Sequence, residues 1–189
     1  MSMRLAPITM ILTTSLAVFL PLFVWLDSYS TLSIKTVFPL LGMWAYMLMW
    51  SHYIVGVVRR HNEYNYQPWR EVTGWIVLAL LLLHPGLILI DRISIPDYVG
   101  DNIRFIYLGV FALSAFLLWE AVTKLKSKFL EKYRPIWSAI NDVAFIAIFF
   151  HGLNLGQHLQ VGWFRTFWII TGIAAGISII HNLVHDLKD

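Results

Sequence analysis

Two histidines, His84 and His151, each sit deep in a separate, nearly uncharged apolar run, LALLLLHPGLILI and AFIAIFFHGLNLG. An imidazole in hydrocarbon is costly without a partner, so an ionisable side chain at membrane depth is a functional candidate by default. Two of them on two segments point to one shared ligand, and haem iron accepts axial imidazoles. The plainer reading gives each histidine a single hydrogen bond to a neighbouring helix. Gly86 and Gly152 follow the two histidines closely, and small residues let a flat macrocycle approach the backbone. Pro85 removes one helical hydrogen bond, which either re-aims the His84 ring or simply kinks the helix.

The elements that must carry this pair are legible from composition. The chain has 189 residues, 58% hydrophobic and only 13% charged, far too apolar for an ordinary soluble domain. Six apolar runs stand out, at about 6–26, 36–58, 72–90, 104–122, 137–157 and 163–184, each near the ~20 residues a helix needs to cross a bilayer. The expectation is an all-α integral membrane bundle of six transmembrane helices, forming a single transmembrane domain over 1–189. The first run follows Arg4 as a signal peptide would, but it is long and lacks a small-x-small cleavage site, so it reads as a span. Nine Trp, eight Tyr and twelve Phe suggest rings at the water–lipid boundary as well as packing. No internal repeat and no low-complexity linker is evident.

Several chemistries are excluded. With no cysteine there are no disulfides, thiolate haem ligands or Cys-held iron–sulfur clusters. Neither a GxGxxG nor a P-loop pattern is present, and the length leaves no room for a soluble NAD(P)H-binding domain. The net charge of +3 comes from residues beside apolar runs and implies a lipid boundary, not nucleic acid. One side would carry Arg4, Arg59, Arg60, Arg70, Lys124, Lys126, Lys128, Lys132, Arg134 and Lys188. The other would carry Lys35, Arg92, Arg104 and Arg165. This bias places both termini in the cytoplasm and both His84 and His151 in the outer half of the membrane.

The third span reads Arg70-Glu71-Val72-Thr73-Gly74, then an apolar stretch, then His84-Pro85. It resembles the ferric reductase-like transmembrane domain, whose third span typically reads His-Arg-x-x-Gly, an apolar stretch and His-Pro. That superfamily includes NADPH oxidases, the STEAP metalloreductases and the bacterial haem subunit of the methionine sulfoxide repair system. The resemblance covers roughly residues 36–184. It implies that His84 and His151 are axial ligands to the iron of one haem b in the outer half. In two-haem members an inner pair of histidines stands 14 positions earlier, about 21 Å along the helix. Here those positions are Arg70 and Trp137, so the inner haem is not expected, and the arrangement is similar to the STEAP enzymes. The resemblance then implies electrons arriving from a cytoplasmic flavin reductase or a quinone. FMN or FAD is a candidate second cofactor, with Arg70 on its phosphate and Trp137 stacked on its ring. In the competing reading, Trp137 plugs a vacant inner site while Arg70 snorkels to the interface.

Other polar residues carry weaker signals. His52 and His181 are candidates for a displaced haem or quinone site, or simply face one another or the headgroups. Asp142 is a candidate proton relay or partner to Arg70, with an interhelical hydrogen bond as the plain alternative. His181 and His185 have metal-site spacing on one helix face near a wet helix end. His158 is a candidate for an outer substrate, a metal ion or a haem propionate. Arg92, Arg104 and Arg165 are candidates to neutralise propionates. Together these residues predict a membrane b-type cytochrome passing single electrons to ferric iron, oxygen or a partner protein. The alternative is a non-redox scaffold or transporter-like bundle that keeps the fold without haem.

Overall fold

The computed structural model describes residues 5–60, 65–91, 102–124 and 132–186. Among them the chain is all-α, with no strand and six long helices: α1 (Leu5–Ser28), α2 (Ile34–Arg59), α3 (Gln67–Asp91), α4 (Ile103–Lys124), α5 (Arg134–Leu155) and α6 (Trp163–Asp186). A 3-10 turn, Gln157–Leu159, lies between α5 and α6. Each of the six helices contains a segment long and apolar enough to span a bilayer. They fall on the six runs expected from the sequence, with shifts at the ends. α3 and α5 begin earlier than their apolar runs because Pro68 and Pro135 stand in their first turns, where a missing N–H costs nothing. α5 stops at Leu155, two residues short of the expected end. There the backbone turns extended at Gly156 (φ −69°, ψ 116°), whose N–H bonds back to the Gly152 carbonyl at 2.7 Å.

α2 starts on a capping box. The Ser33 hydroxyl accepts the Thr36 N–H at 3.3 Å, and the Thr36 hydroxyl accepts the Ser33 N–H at 3.0 Å. The Ser33 N–H thereby gains a partner, and the Thr36 N–H, which also reaches the Ser33 carbonyl at 3.1 Å, gains a second acceptor. Ser33→Ala is expected to lower stability by about 1 kcal/mol, read as a drop in unfolding midpoint in detergent micelles.

The helices form two compact units. The first holds α1, α2, α3 and α6, and the second holds α4, α5 and the 3-10 turn. In the first unit α2 touches α1, α3 and α6. It is therefore buried on nearly every side, with an unbroken buried run from Ala45 to Ser51. Such all-round burial matches its nearly unsided apolar sequence. Tyr46 stacks on Trp168 of α6, ring centroids 3.9 Å apart. With the Thr171 hydroxyl proton given to the Trp168 carbonyl at 2.7 Å, Tyr46 donates its own to Thr171 at 3.2 Å. Three indoles strap this unit from inside: Trp25 Nε1–H to the Thr36 carbonyl (2.6 Å), Trp44 Nε1–H to the Val18 carbonyl (2.8 Å) and Trp69 Nε1–H to the Thr14 hydroxyl (3.0 Å). Tryptophans expected partly as interfacial rings here satisfy backbone and side-chain acceptors between helices, which in hydrocarbon have no water to turn to.

In the second unit α4 packs along α5. Ala112 and Ala115 on α4, and Ala144 and Ala147 on α5, are all buried. Small side chains let two helix backbones approach closely where no hydrophobic effect drives them together. Elsewhere large apolar side chains face outward in stripes. On α6 these are Ile170, Ile173, Ile177 and Ile180, each more than half exposed. A run of that kind would be unstable in water and is what lipid contact requires. Six helices of this kind mark a multi-pass membrane protein.

Candidate functional site

His84 and His151 share two features of their surroundings: a backbone carbonyl on the preceding helix at Nδ1 and a glycine against the ring. Each is the 18th residue of its helix, His84 in α3 and His151 in α5. His84 Nδ1 lies 2.7 Å from the carbonyl oxygen of Phe38 on α2. His151 Nδ1 lies 2.8 Å from the carbonyl oxygen of Phe105 on α4. A carbonyl only accepts, so in both rings the proton is on Nδ1. In the neutral imidazole this puts the lone pair on Nε2.

Each ring also lies over a glycine one turn beyond that carbonyl. A Cβ built on Gly42 would stand 2.9 Å from His84 Cε1, and one built on Gly109 would stand 2.6 Å from His151 Nδ1. The Phe38 ring leans on His84 at 5.7 Å between centroids. α3 runs as continuous helix through Pro85 to Asp91. Pro85 thus introduces no break, and the ring is aimed by the Phe38 carbonyl and the Gly42 gap.

Both hydrogen bonds span 46 positions of sequence. The two sets are displaced from one another by 67 positions, as Arg70 is from Trp137. The sequence reading noted no internal repeat, and these few residues recur at that fixed displacement without a hydropathy signal. Reading of the sequence also missed Phe38, Gly42, Phe105 and Gly109. A Phe-x-x-x-Gly pattern at equal distance before each histidine was the available signal.

The remaining candidates have separate surroundings. His52 is clasped by α3. With the Thr73 hydroxyl proton directed at the Trp69 carbonyl (2.7 Å), His52 donates Nε2–H to Thr73 Oγ1 at 2.6 Å, and its ring lies 4.7 Å from that of Trp69. This bond ties α2 to α3, a role the sequence reading did not raise for His52. His181 and His185 lie with ring centroids 5.9 Å apart. Among the described residues no group of three or more His, Asp or Glu is placed to hold a metal ion. Their neighbour Asn182 accepts the Arg60 Nε–H at 3.0 Å, tying the end of α2 to α6.

His158 sits on the 3-10 turn outside the spans, and burial holds its imidazole below the ordinary range. Arg70 is exposed in the first turn of α3, and Asp142 is half-buried on α5. Trp137 is half-buried, and its Nε1, like Asn141 Oδ1 one turn along α5, is buried without a hydrogen-bond partner among the described residues. The Arg104 guanidinium lies 5.0 Å from the ring of Phe105, the residue whose carbonyl holds His151. Arg165 is half-buried near the start of α6, and Arg92 lies outside the described residues.

Comparison with protein families, curated proteins and solved structures returns no match.

Proposed function

We propose that this chain is a membrane b-type cytochrome of the ferric reductase-like kind, with His84 and His151 as axial ligands of one haem in the outer half of the membrane. The observation that carries the reading is the twin Nδ1–H bond to a backbone carbonyl. Metal-ligating histidines nearly always anchor one ring nitrogen in this way, which fixes the tautomer and raises the basicity of the other. Both rings thus carry the lone pair on Nε2, the nitrogen that would ligate the iron. When bound, haem supplies reversible one-electron chemistry. Held by two imidazoles, it would favour electron transfer over oxygen binding.

This chain's own residues hold the rings, keep water from the spans and set the local field. Arg104, beside the Phe105 whose carbonyl holds His151, would be available to a propionate. The excess of Lys and Arg on one set of loops supports an orientation with both termini cytoplasmic. Electrons would enter from that side, from a flavin reductase or quinone. Trp137 Nε1–H and Asn141 Oδ1 offer a donor and an acceptor one turn apart, the pair needed by the imide edge of FMN or FAD. Arg70 supplies a guanidinium suited to a flavin phosphate.

The test is the absorption spectrum of protein purified from haem-replete cells, with extraction of the bound cofactor. The expected sample is red, with a Soret band that shifts on dithionite reduction. A colourless preparation overturns the reading and favours a non-redox scaffold.

A further inference from the structure

Aligned at a displacement of 67 positions, α2–α3 and α4–α5 share Phe38 with Phe105, Gly42 with Gly109, Ala45 with Ala112, Tyr66 with Tyr133, Pro68 with Pro135, and His84 with His151. The matches fall where the geometry matches: the acceptor carbonyl, the gap beneath the ring, a buried alanine three positions on, the proline of the next helix's first turn, and the histidine. Resting on the haem reading of His84 and His151, we propose that the two hairpins are two copies of one histidine-presenting module, and that Gly42 and Gly109 are its positioning residues.

The requirement for glycine stems from helix geometry. Each Cα–Cβ bond tilts toward the helix N-terminus, so a side chain at one position covers the carbonyl about one turn earlier. At positions 42 and 109 that cover is missing, and the Phe38 and Phe105 carbonyls are open to a donor from the next helix. Each carbonyl keeps a second lone pair beyond the one used inside its own helix. The ring fills the gap, and an alanine methyl would collide with it at 2.9 Å (Gly42) or 2.6 Å (Gly109). Ala45 and Ala112, at 1% and 0% exposure, hold the two backbones of each hairpin close enough for the bond. The plane of each imidazole and the direction of its Nε2 are therefore set by a neighbouring backbone.

The test uses the full chain in detergent micelles with ¹⁵N-labelled histidine, first without haem and then titrated with haemin. Wild type is expected to show two imidazoles protonated on Nδ1 with strongly hydrogen-bonded protons. Gly109→Ala should erase that signature for His151 and leave it for His84, and Gly42→Ala should do the reverse. Haemin affinity should fall about 10–100-fold in each, as for other losses of a ligand's supporting contact. Gly176→Ala in α6, where a Cβ meets nothing within 4 Å, should change neither readout. If Gly109→Ala does not fold, Gly42→Ala, with the milder collision, carries the same comparison. Unchanged Nδ1 signals and unchanged haemin affinity in the folded glycine variants overturn the module while leaving the haem reading intact. Glycine-dependent Nδ1 signals in a protein that takes up no haemin overturn the haem reading and leave the module standing.

Discussion

His84→Ala and His151→Ala are each expected to abolish the Soret band of the purified protein, while His181→Ala leaves it in place. On the proposed haem reading, each variant would leave the cofactor with a single imidazole, too weak a hold to keep it through purification. Each variant also exposes a second loss. The Phe38 or Phe105 carbonyl gives up a 2.7 or 2.8 Å bond, a cost of about 0.5–1.5 kcal/mol, small enough that the apo fold should persist. Circular dichroism on the same samples separates loss of cofactor from loss of fold. His52→Ala is a sharper control than His181→Ala, because His52 spends its Nε2–H on Thr73 and serves as an interhelical clasp. Retention of the band in either His84→Ala or His151→Ala, or its disappearance in His52→Ala, would show that the ligands are misassigned.

The second large effect is on stability. Trp168→Ala should destabilise the protein by about 3–5 kcal/mol, the range for emptying a fully packed aromatic site. Trp168 is among the largest fully buried side chains, at 2% exposure, and lies against Tyr46. In lipid the cost comes from lost van der Waals contact and the cavity left behind, since lipid tails are as apolar as the core. Tyr46→Phe keeps the stack and removes only the bond to Thr171, so it should cost about 1 kcal/mol. Equilibrium unfolding in mixed micelles measures both. A loss below that of Tyr46→Phe would mean that the α2–α6 contact is not a main support of the first unit.

Fold class was legible because spanning helices announce themselves: hydrocarbon tolerates only segments that satisfy their backbone internally, so length and apolarity suffice. Ends were read less well. Pro68 and Pro135 look like boundaries but sit inside the first turns of α3 and α5. Tryptophans were expected partly at the interface, whereas Trp25, Trp44 and Trp69 each bond another helix or its cap. Sequence shows that an indole needs an acceptor and is silent on where one lies.

The candidate site divides in the same way. By itself the sequence determined six apolar spans, the place of His84 and His151 within two of them, and the lack of cysteine. Those properties depend on composition and on position along one helix. Only the tertiary structure decided which nitrogen of each ring carries the proton and what aims it. Both depend on a carbonyl 46 positions away and on a missing Cβ at Gly42 or Gly109. A hydrogen bond between helices is a relation in space, and a glycine that matters for what it leaves uncovered has no hydropathy signal. Once those contacts are known, the recurrence of Phe, Gly and His at a displacement of 67 positions can be read back into the sequence.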